Sequence, residues 1–168
     1  MTPPCTVYLD PDKWPAHIEL TPIQLEAAAL VAHWRRWKSR DLPNRYGLEG
    51  KSYDLDYWGA AGEEAAAAAL GVFWPMSINT FKADDLPGYQ VRTATGRDDC
   101  LIIRDGDDRN ALYVLVICED ISHFTVYPPF WGMDAVRDEW WRAPNGRPGA
   151  WFVPQAALRQ AQRMTGER

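Results

Sequence analysis

Residues 59–71 read GAAGEEAAAAALG and residues 82–97 read KADDLPGYQVRTATGR. The first stretch is written for a helix. Its alanine run has the strongest helix propensity of any residue, the pattern extends back to about Asp56, and Gly71 supplies a C-terminal stop. Gly59 and Gly62 each cost about 1 kcal/mol relative to alanine in a helix interior. Close approach of another backbone is the reason to keep them. At about 100° per residue, Glu63 shares a face with Gly59, Ala66, Ala67 and Leu70. If Leu70 is buried, Glu63 points toward a sheet, whereas Glu64 sits to one side within reach of water. An acid aimed inward must be paired or hold a metal. The alternative is a solvated glutamate near a helix N-terminus, where the helix dipole favours it.

The second stretch changes period. Leu86-Pro87-Gly88 predicts a tight turn, since Pro presets one turn angle and Gly accepts the other. In the strand that follows, Tyr89, Val91 and Thr93 face one way and Gln90 and Arg92 the other. Asp85 then falls beside Gln90 and Arg92, so that an acid, an amide oxygen and a cation converge. The competing reading is a loop aspartate next to two outward-facing polar side chains.

Upstream, residues 1–20 hold Pro3, Pro4, Pro11 and Pro15 and read as an irregular arm or an edge strand. A helix begins at Thr21 as N-cap, with Pro22 in the first helical position and Gln24 completing a capping box. Ile23, Ala27, Leu30, Trp34 and Trp37 follow at helical spacing as one apolar face, ending near Ser39. Residues 40–55 are a polar loop. Downstream, strands are expected at Ser77–Phe81, Tyr89–Thr93, Cys100–Arg104, Ala111–Glu119 and Ser122–Tyr127. The turn-rich DGDDRN at 105–110 joins Cys100–Arg104 and Ala111–Glu119 as a hairpin. A Pro-, Gly- and Trp-rich stretch at 128–150 holds a short helix near 132–141. A strand at Trp151–Val153 and a helix from Pro154 to Met164 follow. The order of helix, helix, strand meander and helix predicts an α+β domain, a central mixed or antiparallel sheet flanked by helices. It spans 1–168 as one unit, with its core at about 21–165.

A chain of 168 residues is the size of one well-buried domain. With 46% apolar and 24% charged residues it is not a disordered chain. No apolar run approaches a membrane span, and the first residues carry neither a basic nor an apolar leader region. The three cysteines make neither a disulfide framework nor a zinc site. A cytoplasmic protein is the expectation. The net charge of −5 counts against wholesale electrostatic binding of nucleic acid, although a local basic patch or a metal ion can carry that load. HWRRWKSRDLPNR at 33–45 is such a patch, with Arg35, Arg36, Lys38, Arg40 and Arg45 interleaved with Trp34 and Trp37. Those two tryptophans also continue the helix's apolar stripe, which assigns them to the core. Nine tryptophans point to a rigid aromatic core, a sticky surface, or both. The stretch FTVYPPFWG with EWW at 139–141 either caps the sheet as a minor core or forms an interaction surface. His17, His33 and His123 lack metal-ligand spacing. DGDDRN lacks the distal bidentate glutamate of a calcium loop.

Together, a helix with G-x-x-G-E, a strand, D-x(4)-Q-x-R and apolar strands resemble the PD-(D/E)XK nuclease superfamily, particularly its small phage and prophage members, over roughly residues 56–128. The resemblance implies a nuclease-like core and a Mg²⁺- or Mn²⁺-dependent hydrolase acting on DNA. Glu63 matches the helix acid, Asp85 the metal-binding aspartate, Gln90 the Asp/Glu position and Arg92 the lysine position. Glu63, Asp85 and Gln90 are the implied metal ligands. Gln90 can still ligate a hard cation through its amide oxygen. Arg92 cannot be deprotonated, so it can stabilise a phosphate but not act as a base. Many such nucleases pair two copies to cut both strands, so the resemblance admits a homodimer. The rival is a catalytically inactive protein on the same scaffold that binds another protein through its tryptophan-rich surface, for instance to inhibit a host system. A structural subunit of a larger particle is a third reading.

Overall fold

The computed structural model describes residues 11–39, 53–78, 84–143 and 148–165. Over these described residues the fold is α+β, with one mixed and one antiparallel sheet and three α-helices. A short strand β1 (Ala16–Glu19) precedes α1 (Pro22–Ser39) and α2 (Tyr53–Leu70). The strands β2 (Tyr89–Ala94), β3 (Leu101–Arg104), β4 (Leu112–Cys118), β5 (His123–Val126), β6 (Phe130–Trp131), β7 (Trp141–Arg142) and β8 (Ala150–Val153) follow, and α3 (Gln155–Thr165) closes the order.

The local signals hold where they rest on backbone chemistry. Thr21 N–H donates to Gln24 Oε1 at 3.0 Å and Gln24 N–H to Thr21 Oγ1 at 3.4 Å, which is the expected capping box. Gly71 ends α2 with φ +66°, and Gly88 takes φ +83° in the turn after Pro87. Of the expected arm, residues 1–10 lie outside the described residues, Pro11–Lys13 make a 3-10 turn, and Ala16–Glu19 form the edge strand β1, antiparallel to β5.

The first sheet runs β1-β5-β4-β2, with β6 also on β4. Strands β2 and β4 are parallel, Val91 opposite Val114 and Arg92 opposite Leu115. A parallel pair needs a crossover, and here β3 supplies it. It leaves the first sheet and pairs with β8 in a second sheet, β3-β8-β7. The expected hairpin of Cys100–Arg104 with Ala111–Glu119 therefore does not form. DGDDRN does turn, with Asp107 accepting from Arg104 N–H and Asp108 from Asn110 N–H, but the turn changes layer. Residues 77 and 78 carry no strand, and 79–81 lie outside the described residues. The helix expected near 132–141 is two short 3-10 turns, Gly132–Ala135 and Asp138–Trp140. Of the expected loop at 40–55, residues 40–52 lie outside the described residues and 53–55 already belong to α2.

Two apolar layers result. Between the helices and the first sheet lie Ala60, Ala61, Ala65, Ala66, Leu70, Val91, Val114 and Val116. On the sheet's other face, Tyr113, Leu115 and Ile117 pack with Leu101, Ile103, Val153 and Leu158. The aromatic stretch divides: Phe124, Tyr127, Phe130 and Trp140 are buried, whereas Trp131 and Trp141 are exposed.

The largest departure is in α1. Its buried residues are Ala28, Val31 and Ala32, while Ile23, Leu30, Trp34 and Trp37 are exposed. The face expected in the core is the outer one, and Trp34 and Trp37 are not core residues.

Candidate functional site

The acid of α2 is inward, as the helix geometry requires, and Glu63 is one of two buried polar side chains among the described residues. Its neighbour Gly62 sits against β2. A Cβ there would lie 2.1 Å from Thr93 Oγ1, so α2 approaches the strand more closely than any other residue allows. The approach is to a side chain rather than the expected backbone. At Gly59 a Cβ would meet only Arg35 Nη1, at an ordinary contact distance of 4.0 Å, so the space there does not require glycine.

Arg35 reaches in from α1 and closes on Glu63 with both arms, Nη1 to Oε1 at 2.8 Å and Nη2 to Oε2 at 2.7 Å. Its Nε and Nη2 also donate to the Ser77 carbonyl at 2.9 and 2.7 Å. Trp74 Nε1–H donates to Glu63 Oε2 at 3.1 Å. Burial raises the Glu63 pKa above its ordinary 4.5, the hydrogen bonds and charge of Arg35 pull it down, and the charge of Asp85 adds to the rise. Glu64, half-buried, accepts from Gln24 Nε2 at 2.6 Å and ties the two helices from the side.

Asp85 lies just ahead of edge strand β2 and accepts Val91 N–H at 2.8 Å. Burial lifts its carboxyl above 3.8, against the pull of that hydrogen bond and of Arg92 and Arg35. Asp85 thus feels both arginines and the like charge of Asp84, and its own charge is felt at Glu63. Neither of the other two members of the expected set hydrogen-bonds to Glu63 or Asp85, although the charge of Arg92 acts on Asp85. Gln90 donates its amide to Asp84 Oδ1 at 2.9 Å instead of meeting Asp85. Arg92 sits opposite Leu115 in the register, on the sheet face turned away from α2. It lies over the Tyr113 ring at 5.2 Å and donates to Asp107 Oδ2 at 3.0 Å. Strand alternation puts Gln90 and Arg92 together on that far face, so β2 stands between them and Glu63.

A hard divalent cation needs several oxygen ligands converging on one point. Arg35 and Trp74 hold the oxygens of Glu63, and Gln90 is turned to Asp84. Among the described residues no group of three or more His, Cys, Asp or Glu side chains comes together. As arranged, these residues do not fit Mg²⁺ or Mn²⁺. No protein-family model, curated protein or solved structure matches the chain.

The basic patch is likewise divided. Arg36 and Lys38 are exposed, Arg35 is turned inward onto Glu63, and Arg40 and Arg45 lie outside the described residues. Arg35, expected in the basic patch, is engaged by Glu63 and the Ser77 carbonyl instead of facing solvent with Arg36 and Lys38. The signal was available: Arg35 falls seven residues after Ala28 and four after Val31, on the small-residue face of α1, where an inward acid of α2 needs a partner. No sequence signal pointed to Trp74.

A second polar hollow of about 390 Å³ opens on the far face of the first sheet, among His17, Arg97, Glu119, Thr125, Gln155 and Arg159. Thr125 Oγ1 bonds to Glu119 and lies 3.0 Å from His17 Nδ1. Gln155 accepts from Tyr127 O–H and donates to the Arg97 carbonyl. Arg159 Nη2 donates to the Tyr127 hydroxyl at 3.0 Å.

Proposed function

We propose that this chain acts by binding another protein, as a non-catalytic relative of the nuclease-like design its sequence resembles. The observation that carries this reading is the two-armed closure of Arg35 on Glu63. It engages the acid that a nuclease needs for its metal, while Gln90 and Arg92 serve Asp84 and Asp107 on the other side of β2. Residues 131–141 supply a surface of suitable chemistry. Trp131, Met133, Val136 and Trp141 are exposed there, beside Arg137 stacked over Trp140 at 4.5 Å. Trp, Met and Arg are the side chains most enriched in protein interfaces. Trp141 is held rigid against Trp151, with ring centroids 4.7 Å apart, so ordering it on binding costs little entropy.

The second reading is Mg²⁺- or Mn²⁺-dependent hydrolysis of DNA. One observation favours it: buried Glu63 and half-buried Asp85 are two acids close enough to raise a pKa, and such pairs cluster at functional sites. It requires Arg35 to leave Glu63. Incubation with supercoiled and linear DNA in Mg²⁺ and in Mn²⁺, beside Asp85→Ala, separates the two. Intact DNA in every lane is expected. Metal-dependent nicking lost in Asp85→Ala would replace binding with catalysis.

A further inference from the structure

The far face of the first sheet is apolar where the second sheet packs on it, at Tyr113, Leu115 and Ile117. Past Ile117 its character changes. Ile117, Thr125 and His17 lie opposite one another across β4, β5 and β1, and strand alternation brings Glu119 to the same face. There the hollow of about 390 Å³ opens, a volume within the range of small-ligand sites. Of its lining, Thr125 and Tyr127 are buried, whereas His17, Arg97, Asp98, Glu119 and Arg159 are exposed and open to a ligand.

The two buried hydroxyls fix the groups above them. Thr125 O–H donates to Glu119. Its single proton is then committed, so toward His17 Nδ1, 3.0 Å away, its oxygen can only accept. His17 therefore carries its proton on Nδ1, and Nε2 of the neutral ring is left as an acceptor. Tyr127 O–H donates to Gln155 and accepts from Arg159 Nη2 at 3.0 Å, with the guanidinium carbon 5.3 Å from the centre of its ring. Arg159 is held at the hollow with further N–H groups to offer. Two cations, Arg97 and Arg159, and two acids, Asp98 and Glu119, share this space. Among the described residues none of the four forms an ion pair with another.

We propose that the hollow binds a small sugar phosphate. The phosphate matches the two guanidiniums, which bind it through charged N–H groups. The sugar hydroxyls match the acceptors, namely the carboxylates of Glu119 and Asp98 and Nε2 of His17. A bare anion would meet the two acids as like charges, and a neutral sugar would leave the arginines without a counter-charge. A ligand carrying both kinds of group uses both. The site is separate from Glu63 and Asp85 and from the surface at 131–141, so it stands or falls independently of the protein-binding reading.

Calorimetric titration of the intact chain with ribose 5-phosphate, into the millimolar range, tests the proposal. Saturable binding is expected, with inorganic phosphate and ribose each at least tenfold weaker, about 1.4 kcal/mol. Arg97→Ala, at an exposed side chain, is expected to weaken ribose 5-phosphate at least tenfold and to leave the melting temperature of the free chain unchanged. His17→Leu should weaken ribose 5-phosphate but not inorganic phosphate, because it removes a partner of the sugar alone. Adenosine 5′-monophosphate distinguishes the sources of this chemistry. Tighter binding than ribose 5-phosphate assigns the site to a nucleotide, and weaker binding to a free sugar phosphate, both within the proposal. Absence of saturable heat with ribose 5-phosphate and with the nucleotide overturns it. So does binding that Arg97→Ala leaves intact, or that His17→Leu does not weaken. Inorganic phosphate binding as tightly as ribose 5-phosphate would show an adventitious ion only, and overturns it as well.

Discussion

The two faces of α1 differ in a way that hydrophobicity alone does not order. The outer face carries Ile23, Leu30, Trp34 and Trp37, the inner one Ala28, Val31, Ala32 and Arg35. The inner face is the buried one, although it holds the smaller apolar residues and a full charge. Its partner explains why. Helix α2 presents Ala60, Ala61, Ala65, Ala66 and Ala67, all buried, so the two helices meet where both are small and their backbones can come close. Large side chains on that face would hold them apart. Burying Arg35 is tolerable because Glu63 and the Ser77 carbonyl take up its donors. Size and pairing decide the inner face, and the large apolar residues lie on the outer one.

The comparison breaks most readily at its charged centre. Arg35→Ala leaves Glu63 buried without its counter-charge and the Ser77 carbonyl without two donors, and a loss of about 3–5 kcal/mol is expected in chemical denaturation. Arg35→Met with Glu63→Leu should recover most of it, because an apolar pair of similar volume removes the uncompensated charge. Next come additions of volume on the close-packed side. Ala32→Leu, and Gly62→Ala against Thr93, should each cost about 1–3 kcal/mol by overpacking. Thr93→Ala should return part of the Gly62→Ala loss if that contact is its cause.

A subtler effect concerns pH. Glu63 and Asp85 have folded pKa values above their ordinary 4.5 and 3.8. Between the unfolded and folded values the folded chain binds more protons than the unfolded one. The contribution of these two acids to stability therefore falls as pH rises through that window toward neutrality. Asp85→Asn keeps an acceptor for Val91 N–H and removes the titration, so its melting temperature should depend less on pH across that window than that of the wild-type chain. An equal or steeper slope would mean that Asp85 does not titrate there. The smallest effect belongs to the outer face. Leu30→Ser should change the stability of the dilute chain by no more than about 0.5 kcal/mol, against the larger cost of Ala32→Leu two residues away.

Much of the backbone was legible because its signals are local. The Thr21/Gln24 capping box, the Gly71 stop, the Pro87-Gly88 turn and the inward aim of Glu63 each depend on a few neighbouring residues. What escaped depends on partners far along the chain. Periodicity showed that α1 is amphipathic but not which face α2 would cover, since that follows from alanines thirty residues away. The turn at 105–110 was read correctly as a turn, yet β3 pairs with β8 because residues 150–153 offer an antiparallel partner in another layer. At the site, Glu63 points inward as its helix position indicates. Gln90, expected beside Asp85, bonds to the preceding residue Asp84, a one-residue difference that turn geometry decides. Arg92 was read on the right side of β2, but the sequence did not show that Glu63 lies on the other.

The most direct test is calorimetric titration of the wild-type chain and of Asp85→Ala with Mg²⁺ and with Mn²⁺ up to several millimolar. With Arg35 closed on Glu63, no saturable heat is expected from either protein. Saturable binding to the wild-type chain that Asp85→Ala abolishes would show that the acids hold a metal, and would contradict the binding-protein reading at its root.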